Sequence, residues 1–305
     1  MSVFRPAPLL HGLVAAGVVL TGTLAAPAQA FVDPKCADEA ANIPADYDEQ
    51  VQQDFLQNYP ALYTTLSPIH GPMPHEPGHG AIGLDLNVVP PLPCSKRLVL
   101  NYTKTEDTNK TPVVPRPRLT FAFPAVGSVV FYGGIAYVPP VKVFGTRNVI
   151  LSGEVGAGMP IGDTLQTGLR FHATSQKTVG EIATPFVEGD PAIDDLYIAS
   201  TFGIDAMFGL NFDVFTPYVA AGLTDVSTVF LIGDDNLVTN NFHPYFGFTG
   251  SLGVDALIAD RLRLGGEFYA APGGISLPDD TVEVAKPISR YGRLYTGRLR
   301  IAVEL

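Results

Sequence analysis

Residues 75–79 read His-Glu-Pro-Gly-His, a letter-for-letter match to H-E-x-x-H. In a zinc protease that spacing puts two imidazoles on one helix face and leaves the glutamate as general base. Pro77 and Gly78 fall inside the interval here. A proline removes a helix hydrogen bond and clashes with the preceding turn, and a glycine adds about 1 kcal/mol to the cost of helix. The surrounding SPIHGPMPHEPGHG therefore reads as a polar Pro/Gly turn that holds histidines. A loop-type metal site using His70, His75 and His79 is the alternative.

Other groups capable of chemistry are scattered. Glu154, Asp205 and Asp255 could pair with His172 or His243 for acid/base work, but no local spacing links an acid to a histidine. Gly-Gly at 133–134, 265–266 and 273–274 lacks the flanking pattern of a nucleotide loop. No catalytic, cofactor-binding or metal residue is assigned, no cofactor is called for, and the residues do not carry an enzymatic reading.

Charges with a clear period occur near the C-terminus: Arg261, Arg263 and Glu267, then Arg298, Arg300 and Glu304. Steps of two put each set on one face of a strand, where neighbouring strands allow cross-strand pairing. The expectation is a charge ladder. It either selects a permeant solute or forms an internal salt-bridge network filling a narrow barrel. Arg263 and Arg298 or Arg300 are expected within reach of Glu267, Glu304 or Asp255. Removing Arg298 would then leave a buried carboxylate unpaired, at about 3–5 kcal/mol.

The elements that would position these charges are strands of unusual length. Leu196 to Phe212 places Leu196, Ile198, Phe202, Ile204, Phe208, Leu210 and Phe212 on one row. Tyr197, Thr201, Gly203, Asp205, Gly209 and Asn211 make up the other. Alternate side chains face opposite sides of a strand. Soluble strands stop near 5–6 residues, whereas about 9–11 already cross a bilayer. Similar rows recur from Gly80 onward: Ile82 to Val88, Leu119 to Phe123, Val129 to Tyr137, Val149 to Val155, Leu165 to Phe171, Phe246 to Val254, Leu262 to Phe268 and Tyr295 to Leu305. The stretch 217–231 is apolar on both faces and shows no register. The reading is all-β, a closed antiparallel transmembrane barrel of about ten strands over 80–305, with 80–88 as its first stave. A secreted β-sandwich also alternates, but it must bury its apolar rows.

The 305 residues carry a net charge of −11, which disfavours nucleic acid. Mean hydropathy is +0.21 although, beyond residue 30, no uncharged apolar run approaches a helical span. Residues 1–30 have Arg5, an apolar core and Ala28-Gln29-Ala30, the pattern of a cleaved signal peptide. Residues 31–79 are acidic and then Pro/Gly-rich, and read as a short non-barrel extension that is periplasmic or enters the lumen. Within it Asp46 would cap a helix over 47–57, and Pro60 would end it. Cys36 and Cys94 could form a disulfide outside the cytoplasm or remain two thiols.

Connections at 124–127, 159–164, 212–216 and 257–260 are short, whereas those near 174–194, 232–243 and 272–290 are long. With the signal peptide, the alternating rows and a strand running to the C-terminus, this resembles a Gram-negative outer-membrane β-barrel protein. The resemblance is architectural. It implies residence in outer-membrane lipid, and a structural role or a narrow passive channel for small solutes. A hydrolase, or a ligand-binding or adhesion barrel using its external loops, is the alternative. Final Leu305 departs from the usual terminal Phe.

Overall fold

The computed structural model describes residues 49–90, 103–105, 113–143, 146–180, 182–185, 194–233, 236–237, 245–259, 261–274 and 294–305. The expected signal peptide, Cys36 and Cys94 lie outside them.

Ten long strands form the wall: β1 (Gly80–Val88), β2 (Val113–Ala122), β3 (Val130–Val143), β4 (Thr146–Ile161), β5 (Leu165–Gly180), β6 (Asp195–Leu210), β7 (Phe215–Ile232), β8 (Tyr245–Ile258), β9 (Leu262–Gly274) and β10 (Leu294–Glu304). Each pairs antiparallel with its sequence neighbours. β10 closes on β1 through Ala81↔Glu304 to Asn87↔Arg298, so the sheet has no free edge overall. The alternation dictates this arrangement. Along β6 every even residue from Ile198 to Leu210 is exposed and every odd residue is buried. β7 faces its even residues inward, with Tyr218, Ala220, Val226 and Phe230 all buried.

The outside is an apolar belt. Phe202 is 60% exposed, Val155 61% and Leu252 65%, in company with Phe131, Phe208, Phe248 and Leu299. A soluble sandwich would bury such a row, because apolar patches of this extent mark contact with lipid or a partner. The chain is a transmembrane-type β-barrel.

Among the described residues one helix, α1 (Glu49–Thr64), precedes the barrel. It is longer than the 47–57 expected, and it runs through Pro60 to Thr64. Its end and the following residues, from Gln57 through His75, are largely buried by the barrel wall.

Candidate functional site: a lumen filled by its own chain

A helix ends with carbonyls that lack intrahelical donors. α1 ends inside the barrel, and there the wall supplies the donors. Arg298 Nη1 donates to Thr65 O at 2.8 Å and its Nη2 to Leu62 O at 3.2 Å. Arg116 Nη1 donates to Thr64 O at 2.7 Å. Arg170 Nη2 reaches Leu66 O at 2.7 Å, and Arg118 Nη1 reaches Ser67 O at 3.0 Å. Two guanidinium groups, Arg116 of β2 and Arg298 of β10, thus cap the helix terminus, the end that favours positive charge, and Arg170 of β5 and Arg118 of β2 hold the carbonyls that follow it. Arg298 also lies over the Tyr269 ring, 3.9 Å from its centroid.

Below this cap lies a paired layer. Glu154 accepts from Arg118 Nη2 and from Arg170 Nε, the latter at 2.6 Å. Arg118 also holds Asp85 at 3.1 Å, and Arg170 holds Asp205 at 2.7 Å. His70 Nε2 stands 3.5 Å from Glu154. Lower still, Arg263 bridges Asp255 at 2.6 Å and Glu304 at 3.0 Å. Glu304 meets His75 Nδ1 at 2.9 Å, His75 Nε2 meets Thr120 Oγ1 at 2.6 Å, and Arg300 donates to that hydroxyl at 2.8 Å. Arg116, Arg118, Arg170, Arg263, Arg298 and Arg300 face Asp85, Glu154, Asp205, Asp255, Glu267 and Glu304, with Asp195 a further buried carboxylate at the upper end of β6. Buried charge is costly unless paired: Arg118, Arg170 and Arg263 meet carboxylates directly, and Arg116 and Arg298 meet carbonyls.

The wall is also shaped for the segment. A Cβ on Gly158 would stand 2.3 Å from Pro72 O, and one on Gly209 2.7 Å from Pro72 Cδ. Only glycine lets the backbone approach this closely. Ile69 has φ 50, a region β-branched residues seldom adopt, and its N–H is fixed by Glu267 Oε2 at 3.0 Å. Burial is the largest influence on both lumen imidazoles of this segment, and it lowers the pKa of His70 and of His75. Above the cap the lumen turns apolar. Tyr59, Ala61 and Leu62 of α1 pack with Val114, Ile150, Tyr197, Val226, Phe230 and Tyr245.

The six charges singled out in the sequence therefore divide. Arg263, Glu304 and Asp255 come together. Glu267 is the direct cross-strand partner of Arg298, yet it accepts from Ile69 N and Tyr218 Oη instead. Arg298 binds carbonyls rather than a carboxylate. Arg300 sits 3.8 Å from Asp85. Arg261 does not join: it lies exposed in the turn before β9, because that strand's first inward charge is Arg263. His79 is exposed and His70 and His75 engage different wall groups, so the three histidines do not converge. Arg116 and Arg118 were missed among prolines, although Val114, Arg116, Arg118 and Thr120 alternate cleanly against Pro115, Pro117, Leu119 and Phe121.

No family model and no curated protein matches the chain. Similar solved structures include the Pseudomonas putida toluene transporter TodX, at 12% identity over 77% of this chain and 70% of that one, with a TM-score of 0.35. The translocator domain of the autotransporter NalP from Neisseria meningitidis matches at 10% identity over 90% and 98%, with a TM-score of 0.44. Outer-membrane expressed OmpT of Vibrio cholerae matches at 14% identity over 66% and 56%, with a TM-score of 0.28. On its own geometry, with ten closed staves, an apolar belt and a charged lumen, this chain is a β-barrel of the outer-membrane type.

Proposed function

We propose that the protein is a passive channel for small solutes whose lumen is closed at rest by residues 57–79, exported by a cleaved signal peptide at 1–30 and resident in the outer membrane. The observation that carries this reading is the fit of wall to segment: glycines where Pro72 passes, and arginines where α1 ends. A barrel with a purely structural role can fill its lumen with wall side chains alone. Here space is left for a strand of chain, and the lower contacts are polar. Polar contacts can be exchanged for water when the segment withdraws, so the retention they give is finite and can be lowered one contact at a time.

Planar-bilayer recording tests the reading. The intact protein should be quiet with rare openings, and a variant lacking residues 57–79 should carry steady current. A deletion variant that keeps the folded, heat-modifiable mobility of the barrel yet passes no current would end it.

A further inference from the structure

β2 is zipped to β1 from Gly80↔Phe121 to Val88↔Val113. On its other side the ladder with β3 runs only from Arg118↔Ala136 to Ala122↔Tyr132. This is the shortest seam in the wall among the described residues. Above it, Val113–Pro117 of β2 and Tyr137–Val143 of β3 lie side by side in sequence order without pairing. Prolines mark both edges. Pro115 and Pro117 project to the same side of β2 as Leu119, whose backbone pairs with β3. Pro139 and Pro140 sit where β3 also shifts register against β4, between Val138 and Val141. A proline has no N–H to give a ladder, so this seam is open by composition.

Its depth and lining are informative. Pro117 and Pro115 are six and eight residues above Phe123, which is about 15–20 Å along the membrane normal at ordinary strand rise and tilt, within a ~25 Å apolar band. Outside, Tyr137 is 46% and Val141 56% exposed. Inside, Val114, Val138 and Ile150 belong to the apolar cluster around Tyr59, Leu62 and Tyr63 of α1. The inward charges at this level are held elsewhere: Arg116 is turned down onto Thr64 O and Ser152 Oγ, its cross-strand neighbour Asp85 is bound by Arg118, and Arg298 binds carbonyls of the plug.

We infer that the β2–β3 seam is a lateral portal, through which small uncharged apolar molecules dissolved in the bilayer reach the apolar upper lumen beside α1. Irregular backbone at membrane depth is tolerated where it borders a protein-lined path. A charged or strongly hydrated solute would have to shed its water to cross this level, whereas an apolar one would not. The inference deepens the channel reading and rests on it only for the solute's onward passage.

The chain has no tryptophan, so single substitutions report locally. Ile150→Trp sits behind the seam, Tyr218→Trp in the lower lumen and Phe202→Trp on the outer belt. Each variant, folded in vesicles with its plug intact, is titrated with bromobenzene as an apolar quencher and with iodide as a polar one. The expected bromobenzene quenching constant at Ile150→Trp is at least about threefold that at Tyr218→Trp and within about twofold of Phe202→Trp, with little quenching by iodide. Equal quenching at Ile150→Trp and Tyr218→Trp overturns the portal, as does iodide quenching that matches bromobenzene. Should Ile150→Trp itself misfold, Val138→Trp gives the same comparison from the other edge of the seam. Quenching without current in the plug-deleted protein would leave the portal standing and end the channel. Current without quenching would do the reverse.

Discussion

Replacing Arg298 with methionine should release the plug and leave the barrel standing. The change removes two charge-assisted hydrogen bonds to carbonyls at the end of α1, at 2.8 and 3.2 Å, and the contact with Tyr269. Bonds of this kind contribute about 1.5–3 kcal/mol each. Two effects reduce the sum. A buried guanidinium no longer has to be desolvated, and Arg116 Nη2 stands 3.5 Å from Thr65 O as a partial substitute. A net loss of about 2–4 kcal/mol in plug retention is expected, which is roughly a 30- to 1000-fold rise in the released population at 1.4 kcal/mol per decade. The barrel itself should not weaken to that extent, because Arg298 binds carbonyls of the plug and not a carboxylate of the wall, and Glu267 keeps Tyr218 Oη as a donor. Open probability in planar bilayers and protease cleavage within 57–79 read the release, and heat-modified mobility reads the barrel. Arg298→Lys should fall between, since an ammonium keeps the charge but cannot fork to two carbonyls. Open probability within about threefold of the parent for Arg298→Met, with the barrel folded, would refute the idea that the arginines retain the plug.

Further outcomes follow from the same contacts. Gly158→Val should displace the segment at Pro72, since even its Cβ would stand 2.3 Å from Pro72 O; current should rise while the barrel stays folded. Glu154→Gln should lower barrel stability in urea by about 3–5 kcal/mol, because Arg118 and Arg170 both lose their shared carboxylate. Arg261→Met, in the exposed turn, should change stability by less than about 0.5 kcal/mol and leave current unchanged. Burial lowers the pKa of His70 and His75 in the seated plug, so the released segment binds protons more readily. Retention is therefore full above the ordinary imidazole value of about 6.5 and is lost as pH falls through the lowered values; open probability should rise on acidification, and no rise down to the pH where the barrel unfolds would contradict this.

The fold was legible where a strand separates two different environments along its whole length. β6 and β10 do so, and their exposed and buried rows fall where alternation puts them, down to Leu299, Ile301 and Val303 outside and Arg298 and Arg300 inside. β7 was not legible, and its partner explains why. Its upper inward residues Val226, Phe230 and Ile232 pack on α1, so both faces meet apolar surroundings and period two disappears. The first half of β2, before Leu119, was hidden for another reason. Proline is read as a strand breaker, yet Pro115 and Pro117 face outward on an edge with no ladder to break, and the rule fails there. Arg116 of the helix cap and Arg118 just beyond it went unseen with that part of the strand.

Pro60 shows the same dependence from the plug's side. An interior proline costs a free helix about 3 kcal/mol, which is ample reason to stop it there. α1 nevertheless continues four residues to Thr64. Stopping at Pro60 would leave Tyr59 and Leu62 without their seats in the apolar upper lumen, and would strand the final carbonyls among apolar side chains. Continuing brings those carbonyls down to the level of Arg116 and Arg298, the donors they require, while Thr64 and Thr65 hydroxyls bond back to Pro60 O and Ala61 O at 2.8 Å each. Helix length is thus set by the height of an arginine layer that the barrel alone defines. Conversely, those buried arginines are tolerable because a helix end reaches them. Periodicity reports the surroundings on each side of an element. Within this lumen the surroundings of the wall are the plug, and those of the plug are the wall.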